Sequence, residues 1–302
     1  MTATATPVSR FATIAVAGRP NVGKSTLLNA LIGYRLCITA SKPQTTRHRM
    51  LGIMTRPNAQ IAFIDTPGIH GSQPRALNRA LNRTAKAAID EADLVLWVIE
   101  APRQTAEDDA VGAWLKDLQR PLVIALNKID RLPDKSALLP LLIELQARYQ
   151  PQAMVPVSAL KTKGIEQLRG QLIALSPVGE AQFNEDELTD RSEKFLAAER
   201  VREQVVRLLR DELPFATTVE IEGFERVGNL LRLAAVIWVE REGQKAIVIG
   251  KGGAQLKTIG TQARMALESL FDCKVHLETW VRVRNNWSDD ERSLRGFGLD
   301  QV

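Results

Sequence analysis

The sequence predicts an α/β protein with two domains, a larger one built on a mostly parallel sheet with helices on both faces and a smaller one of mixed strands and helices. Three observations support this fold class. Short apolar runs alternate with helical patterns as far as about residue 175, a polar acidic segment follows, and a different order of elements occupies the rest. A chain of 302 residues, 45% of them hydrophobic, is also long enough for two cores.

Five short apolar runs in the first half predict strands buried on both faces, and five amphipathic stretches predict helices. This alternation is typical of a parallel sheet, because a crossover between parallel strands usually contains a helix. We place the first domain at residues 1–176. The predicted strands cover 11–17, 61–64, 93–99, 122–126 and 154–157, and the predicted helices cover 25–32, 76–90, 106–118, 135–149 and 165–175.

The second half begins with a polar and acidic linker at 177–190, and we place a second domain at 191–302. A long amphipathic pattern predicts a helix at its start. Two strands, an apolar run, a glycine turn, a helix and a last strand follow. These elements cover 191–213, 217–225, 230–240, 245–249 and 250–253, then a helix that ends near 271 and a strand at 275–283.

Composition argues against a membrane span, a secretion signal and a disulfide framework. No run approaches about eighteen apolar residues, and the first ten residues contain no apolar signal core. The two cysteines, Cys37 and Cys273, flank neither a CxxC motif nor a histidine cluster, so we expect both to be small buried hydrophobic residues. We therefore expect a cytoplasmic protein.

Charge is distributed unevenly along the chain. The formal net charge is +5, yet residues 1–175 carry +9 and residues 176–302 carry −4. Within the acidic half, the segment 243–267 contains no Asp or Glu. Its basic residues are Lys245, Lys251, Lys257 and Arg264. Because attraction to nucleic acid depends on local charge, this segment is a candidate RNA-binding surface.

The stretch GRPNVGKS, residues 18–25, matches the phosphate-loop pattern GxxxxGK[ST] at every fixed position. A predicted strand precedes it and a predicted helix follows, so backbone N–H groups and the helix N-terminus would converge on phosphate oxygens. Lys24 is expected to reach the β- and γ-phosphates, and the Ser25 hydroxyl is expected to bind Mg²⁺. The predicted nucleotide contacts here are Asn21, Val22, Gly23, Lys24, Ser25 and Thr26.

The motif DTPG, residues 65–68, follows a second apolar strand. At the end of its strand Asp65 can hold Mg²⁺, directly or through water. The backbone N–H of Gly68 can sense the γ-phosphate. These two residues are therefore predicted to act beside Lys24.

The motif NKID, residues 127–130, predicts a guanine site. The Asp130 carboxylate matches the N1–H and the exocyclic amino group of guanine, a donor pair that adenine lacks. Asn127 can reach the other polar edge of the base, and the stem of Lys128 can lie over the ring. The later SAL triplet, Ser158, Ala159 and Leu160, suits a backbone contact to the guanine oxygen.

These four motifs, in this order, resemble those of translation-factor-type GTPases over residues 11–175. The resemblance implies that fold and Mg²⁺-dependent hydrolysis of GTP to GDP. SKPQTTR, residues 41–47, lies where such proteins keep a mobile switch whose threonine closes on Mg²⁺. We choose Thr46, while Thr45 and a simple turn remain alternatives. The implied catalytic residues are Lys24, Thr46, Asp65 and Gly68, and the implied metal ligands are Ser25, Thr46 and Asp65.

The group that activates water is left open by the sequence. Ile69 follows DTPG where many GTPases carry a glutamine, and an alkyl chain cannot orient water. His70 is adjacent, although a lone loop histidine is more often solvated than catalytic. Asn21 resembles the asparagine with which related GTPases bind K⁺, and bracing of the turn is the alternative.

The second glycine turn, GKGG at 250–253, is too short for a nucleotide loop and has no Lys-Ser/Thr pair. It fits GxxG, which in KH domains clamps the backbone of about four nucleotides beside an apolar groove. The order of elements around it resembles a type II KH domain. The predicted groove residues are Ile247, Ile249, Leu256 and Ile259, and the predicted RNA-binding residues are Gly250, Lys251, Gly252, Gly253 and Lys257.

Over nearly its full length the chain resembles the Era family, bacterial GTPases of small-ribosomal-subunit assembly. The supporting segments are QTTRHR (44–49), DTPGIH (65–70), TDRSEKF (189–195), VEREGQK (239–245) and WSDDERSLR (287–295). The resemblance implies binding to the single-stranded 3′ tail of small-subunit (16S) ribosomal RNA, assistance to 30S biogenesis, and release after GTP hydrolysis. It also implies a monomer without a DNA partner and leaves a peripheral inner-membrane fraction open.

Two other functions remain alternatives at this stage. One is a membrane-signalling GTPase whose basic first half faces anionic lipid, although the chain has no lipidation motif or basic amphipathic helix. The other is a non-catalytic GTP sensor whose RNA module does the work, which Ile69 favours. Single-turnover hydrolysis with and without ribosomal RNA would separate them.

Overall fold

The computed structural model describes residues 9–299 apart from 41, 43–44, 69–75, 102–103, 117, 119, 211–212 and the side chain of residue 135. Two sheets organise these residues, one of six strands and one of three. Among the described residues, no helix combines the length and the apolarity that a membrane span needs.

The six-stranded sheet has the strand order β2-β3-β1-β4-β5-β6. Every pair in it is parallel except β2 with β3, which confirms the predicted mostly parallel sheet. Its strands are β1 (Arg10–Ala17), β2 (Met50–Arg56), β3 (Ala59–Asp65), β4 (Leu94–Glu100), β5 (Leu122–Asn127) and β6 (Ala153–Pro156). The helices are α1 (Lys24–Ile32), α2 (Ala76–Glu91), α3 (Ala106–Lys116), α4 (Leu138–Tyr149) and α5 (Ile165–Leu175).

Strand β2 was missing from the predicted elements. Its sequence MLGIMTR contains a glycine, which weakens a strand pattern. The structure shows why glycine is needed, since a Cβ on Gly52 would lie 2.4 Å from Cδ1 of Ile32 in α1. Strand β2 therefore lies close under α1, at the edge of the sheet.

Helices cover both faces of this sheet and divide its core in two. One apolar cluster joins alternate residues of the strands to α1 and α5, and the other joins the remaining alternate residues to α2, α3 and α4. Strands buried on both faces explain why the predicted strands are nearly continuous apolar runs. The carboxyl ends of β1, β3 and β5 lead into the GRPNVGKS, DTPG and NKID motifs, so they meet at one edge.

The three-stranded sheet has the order β7-β8-β9, with β7 antiparallel and β9 parallel to β8. Helices α6 and α8 pack against one face of it. The elements are α6 (Glu193–Leu208), β7 (Thr218–Val227), β8 (Leu230–Val239), α7 (Glu242–Ile249), α8 (Ala254–Phe271) and β9 (Lys274–Val283).

Two details of the second half differ from the expected elements. The first helix ends at Leu208 rather than near 213, because the chain turns into a short 3-10 helix at Leu213–Phe215. The apolar run 245–249, whose type the sequence left open, belongs to helix α7 and partly faces the core through Val248. The GxxG turn therefore joins two helices.

The segment predicted as a linker, 177–190, lies along the first sheet. Arg10 pairs with Val178 in an isolated bridge, and the side chain of Gln60 accepts hydrogen bonds from the N–H groups of Gln182 and Phe183. The Ile53 N–H donates to the carbonyl of Leu188 at 2.9 Å. These contacts give the segment a fixed path, while the division into domains at 176 and 191 stays a prediction.

The last part of the chain returns to the first half. A short helix, α9 (Glu291–Gly296), follows β9, and the fully buried Trp287 packs with Leu294 and Leu299 against α2. The indole N–H of Trp287 donates to the Ala216 carbonyl at 3.1 Å. Sequence patterning did not predict this contact between the two halves, since it joins residues about 200 positions apart.

Candidate nucleotide site and nucleic-acid surface

The phosphate loop lies between β1 and α1, and its glycines are required by close contacts. Gly18 and Gly23 have φ values of 147° and 99°. A Cβ would lie 2.5 Å from the Val98 carbonyl oxygen at Gly18 and 2.4 Å from Nδ2 of Asn127 at Gly23. Any side chain at these positions would displace neighbouring atoms, so the loop holds one backbone path.

Lys24 lies inside this loop with 6% of its surface exposed. Its Nζ donates to the carbonyl oxygens of Gly18 at 2.8 Å and Arg19 at 3.0 Å. Burial lowers the pKa of Lys24 to about 8, although the nearby Asp65 carboxylate opposes the shift. An anion brought into the loop would favour the charged ammonium.

Ser25, Thr46 and Asp65 meet beside the loop. The Ser25 Oγ lies 2.8 Å from Thr46 Oγ1 and 3.1 Å from Asp65 Oδ2, and Thr46 Oγ1 lies 3.3 Å from the same carboxylate oxygen. In contrast, the Thr45 hydroxyl donates to the Lys42 carbonyl at 2.7 Å. The structure therefore brings Thr46, and not Thr45, to the other two residues.

The chemistry of this trio fits a hard cation. Asp65 is 1% exposed, and its Oδ1 has no hydrogen-bond partner among the described residues. Burial raises the pKa of Asp65, opposed by the charge of Lys24. A divalent ion would bind the orphan oxygen and favour the charged form of the carboxylate, and oxygen ligands of this kind suit Mg²⁺.

A cleft of about 660 Å³ opens beside the loop, between NKID and SAL. Asp130 lines it, and its carboxylate accepts a hydrogen bond from the Ser158 hydroxyl, which lowers the pKa of Asp130. Lys128 donates to the Asn21 carbonyl at 2.7 Å and pairs with Glu100 at 2.9 Å. Ala159 and Leu160 line the same cleft, so the predicted base-binding residues lie together.

Asn127 has a structural task that sequence reasoning missed. It is 2% exposed, its Nδ2 donates to the Val22 carbonyl at 2.8 Å, and its Oδ1 accepts from the Ala159 N–H at 3.0 Å. One amide therefore joins the phosphate loop to the SAL loop. Asn127 also lines the cleft, where the sequence had predicted a contact with the base.

The DTPG motif, residues 65–68, lies against the phosphate loop at Gly68. A Cβ on Gly68 would lie 2.9 Å from the backbone nitrogen of Pro20, so glycine allows the two loops to touch. Ile69 and His70, which bear on water activation, lie outside the described residues.

The second glycine turn lies at the surface between α7 and α8. Gly250, Gly252 and Gly253 have φ values of 73°, 57° and 78°, in the left-handed region that favours glycine. A Cβ on Gly250 would lie 2.7 Å from Cβ of Gln255, whereas Gly252 and Gly253 face open space. Lys251 and Lys257 are exposed, so backbone and charge are both available to a large ligand.

A groove of about 400 Å³ runs from this turn between α8 and β9. Leu256 lines it as predicted, and Lys257, which was predicted to bind RNA, lines it as well. The other three predicted groove residues do not line it. Ile259 is fully buried in the core, Ile249 packs partly buried against that core, and Ile247 is exposed on α7. The remaining lining residues are Gly253, Gly260, Thr261, Arg264, Leu277 and Thr279.

The sequence also missed a polar contact between the halves. Arg47, 1% exposed, donates to the carbonyls of Thr217, Pro214 and Phe215 at 2.7, 2.8 and 3.0 Å. Burial lowers the pKa of Arg47, and the charge of Arg202 adds to the effect. No local pattern in the sequence indicated this contact, because Arg47 and the carbonyls that it binds are about 170 positions apart.

Comparison with known proteins assigns both halves. The family model described as 50S ribosome-binding GTPase matches residues 13–128, and the KH domain model matches residues 212–288. GTPase Era of Xanthomonas oryzae pv. oryzae is 56% identical over 300 residues, which cover 99% of this chain and 100% of that protein.

Two solved structures resemble the whole chain. One is an Era variant of Aquifex aeolicus bound to GDP.AlF4−, and the other is Era in complex with MgGDPNP and nucleotides 1506–1542 of 16S ribosomal RNA. Each has a TM-score of 0.94, is 37% identical in sequence, and covers 97% of this chain and 100% of its own.

Proposed function

Because the chain belongs to the Era family of GTPases, we propose that it hydrolyses GTP, binds small-subunit ribosomal RNA near its 3′ end and assists 30S biogenesis. Hydrolysis is the switch that releases the RNA. The observation that carries the proposal is the convergence of Ser25, Thr46 and Asp65 beside a phosphate loop, in a chain with a second, exposed GxxG turn. The Era structure that holds both MgGDPNP and 16S ribosomal RNA supports this pairing of functions.

The phosphate loop binds the triphosphate through its backbone N–H groups and the N-terminus of α1. Lys24 exchanges its two loop carbonyls for the β- and γ-phosphates, and Ser25, Thr46 and Asp65 hold Mg²⁺. When bound, this ion offsets the charge that develops on the phosphates. The N–H of Gly68 donates to the γ-phosphate.

The base is recognised in the cleft beside the loop. Asp130 accepts from guanine N1–H and the amino group, with its carboxylate oriented by Ser158. The lowered pKa of Asp130 keeps it charged at neutral pH. Because an adenine would leave this charge unpaired, the cleft selects guanine.

We also propose that Asn21 helps to bind K⁺ next to the phosphates. Asn21 lines both the phosphate pocket and the base cleft, and its φ of 62° is a strained conformation for a residue other than glycine. The measurement is GTP turnover in K⁺ and in Na⁺. If Asn21→Ala hydrolyses GTP at the wild-type rate in K⁺, the residue only braces the loop.

The RNA site is the GxxG turn with its groove. The glycine backbone lets the sugar-phosphate chain approach, Lys251 and Lys257 attract it, and bases enter the groove between α8 and β9. Cytoplasmic location, a monomeric state, absence of a DNA partner and a peripheral membrane fraction stay predictions, as does the domain division at 176 and 191.

The test is single-turnover hydrolysis with and without a single-stranded RNA that carries the small-subunit 3′ sequence. We expect Mg²⁺-dependent turnover of GTP and not ATP, and RNA binding that is tighter with GDPNP than with GDP. GTP binding without any hydrolysis, in either condition, would identify a non-catalytic sensor instead. Tight binding to anionic vesicles together with no RNA binding would support a membrane-signalling GTPase.

A further inference from the structure

Helix α6 of the second half packs against the segment that carries Thr46. We call residues 35–40, 42 and 45–48 the switch segment. Charged side chains of α6 contact this segment, namely Glu199, Arg200, Arg202, Glu203 and Arg207. Arg200, Glu203 and Arg207 share one helical face, because their spacing of three and four residues follows the helical period, and Arg202 lies farther round the helix beside Glu199.

Glu203 lies at the centre of this contact and is fully buried. Its Oε1 accepts from the Arg35 guanidinium at 2.8 Å and from the Thr39 N–H at 3.1 Å. The same oxygen accepts from Arg207 at 2.8 Å, and Oε2 accepts from Arg200 at 3.3 Å. One carboxylate of the second half therefore satisfies a backbone donor and an arginine of the switch segment.

Two arginines held by Glu203 bind carbonyl groups of the same segment. Arg200 donates to the carbonyls of Arg35 and Leu36, the latter at 3.2 Å. Arg207 donates to the Thr39 carbonyl at 3.0 Å. Because backbone groups are the targets, the contact depends on the path of the switch segment more than on its side chains.

The contact continues on both sides of Thr46. Arg202, held by Glu199, donates to the Thr45 carbonyl, and Arg47 inserts into the turn before β7. Burial opposes the charge of Glu199, but the charge of Arg202 and its hydrogen bonds outweigh it, so the pKa of Glu199 is lowered. The position of Thr46 beside Ser25 and Asp65 is thus tied to α6.

We propose that Glu203 is a positioning residue through which the RNA-binding half stabilises the GTP-bound arrangement of the switch segment. This inference rests on the proposed GTP switch. Glu203 binds the switch segment in the arrangement that places Thr46 at the metal site, and it loses those partners when the segment moves away. It therefore favours GTP, the nucleotide that draws Thr46 to the metal. By linkage, the same coupling makes GTP favour one placement of the RNA-binding half.

Glu203→Gln removes the charge and one acceptor with almost no change of shape. Arg200, which is 4% exposed, then keeps a buried charge without an ionic partner. This cost destabilises the GTP-bound arrangement of the switch segment. Glu203 itself lines neither the phosphate pocket nor the base cleft. Its partners Thr39 and Arg207 line the base cleft, which both nucleotides share, so the GTP analogue should lose more affinity than GDP and the ratio of the two affinities is the measure.

The experiment measures binding of fluorescent GDPNP and GDP, with Mg²⁺, to the full chain carrying Glu203→Gln. We expect the ratio of GDPNP to GDP affinity to fall roughly tenfold or more, the size expected for a lost charge-assisted hydrogen bond. By linkage, the factor by which GDPNP instead of GDP tightens RNA binding equals the factor by which RNA tightens GDPNP binding relative to GDP, and this shared factor should shrink in the variant.

Two further variants make the test specific. Glu193→Gln is the control, because Glu193 lies on the same helix but pairs with Arg226 at 3.5 Å within the second half. Arg200→Lys keeps a charge beside Glu203 but cannot bind Glu203 and the carbonyls of Arg35 and Leu36 through separate nitrogens, as Nη1 and Nη2 of Arg200 do, so it should act in the same direction as Glu203→Gln.

The outcomes separate the inference from the function on which it rests. A wild-type GDPNP to GDP affinity ratio in Glu203→Gln, or equal losses for both nucleotides, overturns the role of Glu203 while the wild-type switch stands. If RNA binding of the wild-type chain does not depend on the nucleotide, the proposed switch itself is wrong and the inference fails with it.

Discussion

The two glycine turns of this chain are suited to the same chemical group, a phosphate, and differ in how crowded they are. In the loop 18–25 a Cβ on Gly23 would lie 2.4 Å from Asn127, and Lys24 is 6% exposed. In the turn 250–253, Gly252 has nothing within 4 Å of a Cβ position, and Lys251 is exposed. The first turn suits a ligand of fixed shape, whereas the second leaves room for a polymer and depends on charge.

The largest expected effect comes from adding one methyl group to each turn. Gly23→Ala should lower GTP and GDP affinity at least a hundredfold, because the Cβ displaces Asn127 and the backbone is strained. Gly252→Ala meets no neighbour in the protein and should lower RNA affinity only about fivefold, because its costs are a strained backbone and one methyl group facing the sugar-phosphate chain. Nucleotide fluorescence and RNA filter binding measure the two losses.

Thermal unfolding without nucleotide is the control for this pair, since both variants must remain folded at the assay temperature. Comparable losses from the two substitutions would contradict the contrast between a crowded and an open turn.

The next effect concerns the shape selectivity of the first site. Asp130→Asn should weaken GTP binding about a hundredfold, because the neutral amide no longer accepts from both guanine donors. Xanthine presents a carbonyl where guanine has its amino group, so the same variant should bind XTP better than the wild-type chain does. Competition of GTP and XTP for a fluorescent nucleotide measures both, and equal losses would remove the role of Asp130.

A double substitution tests the charge dependence of the second turn. Lys251→Asp with Gly252→Asp should lower RNA affinity roughly thirtyfold at moderate salt, since it places two carboxylates near an RNA phosphate. Basal GTP turnover should stay near the wild-type value, because the turn lies outside the nucleotide cleft. The residual binding should also depend less steeply on salt than wild-type binding.

Lys194→Asp is the matched control, because Lys194 is an exposed lysine in the same half and outside the groove. Circular dichroism checks that both variants fold. Wild-type RNA affinity in the folded double variant would mean that GKGG is only a tight turn.

The sequence predicted most of the nucleotide site because each motif is a short contiguous run at the end of a strand. Gly23, Lys24 and Asp130 could be identified without any knowledge of their neighbours. The link that Asn127 makes between Val22 and Ala159 could not, since it joins residues more than a hundred positions apart through one amide. A short motif therefore identifies the residues that bind a ligand, whereas the contacts that hold two motifs together form only when the sheet has folded.

The same reason explains what sequence reasoning missed elsewhere. Strand β2 contains Gly52, which disfavours a strand but allows α1 to pack closely against it. Arg47 and Glu203 have the composition of surface residues and are buried only because the two halves meet. Ile259 follows an apolar pattern that fits a groove and a core equally well, and the structure places it in the core.

The smallest expected effect is a pH dependence of nucleotide affinity, which arises from the buried Lys24 of the first turn. Burial lowers the pKa of Lys24 to about 8 in the chain without nucleotide, and phosphate oxygens should raise it again when nucleotide binds. Binding therefore takes up a proton above pH 8 and none below it. Nucleotide affinity should be constant from pH 7 to 8 and then fall, with a limiting slope of about tenfold per pH unit.

Titration of fluorescent GDP across this range measures the slope, and Lys24→Arg corrects for ionisation of the guanine base, because an arginine keeps its charge throughout. If the wild-type slope above pH 8 equals that of Lys24→Arg, Lys24 is already charged before nucleotide binds, and the loop is less closed than its contacts indicate.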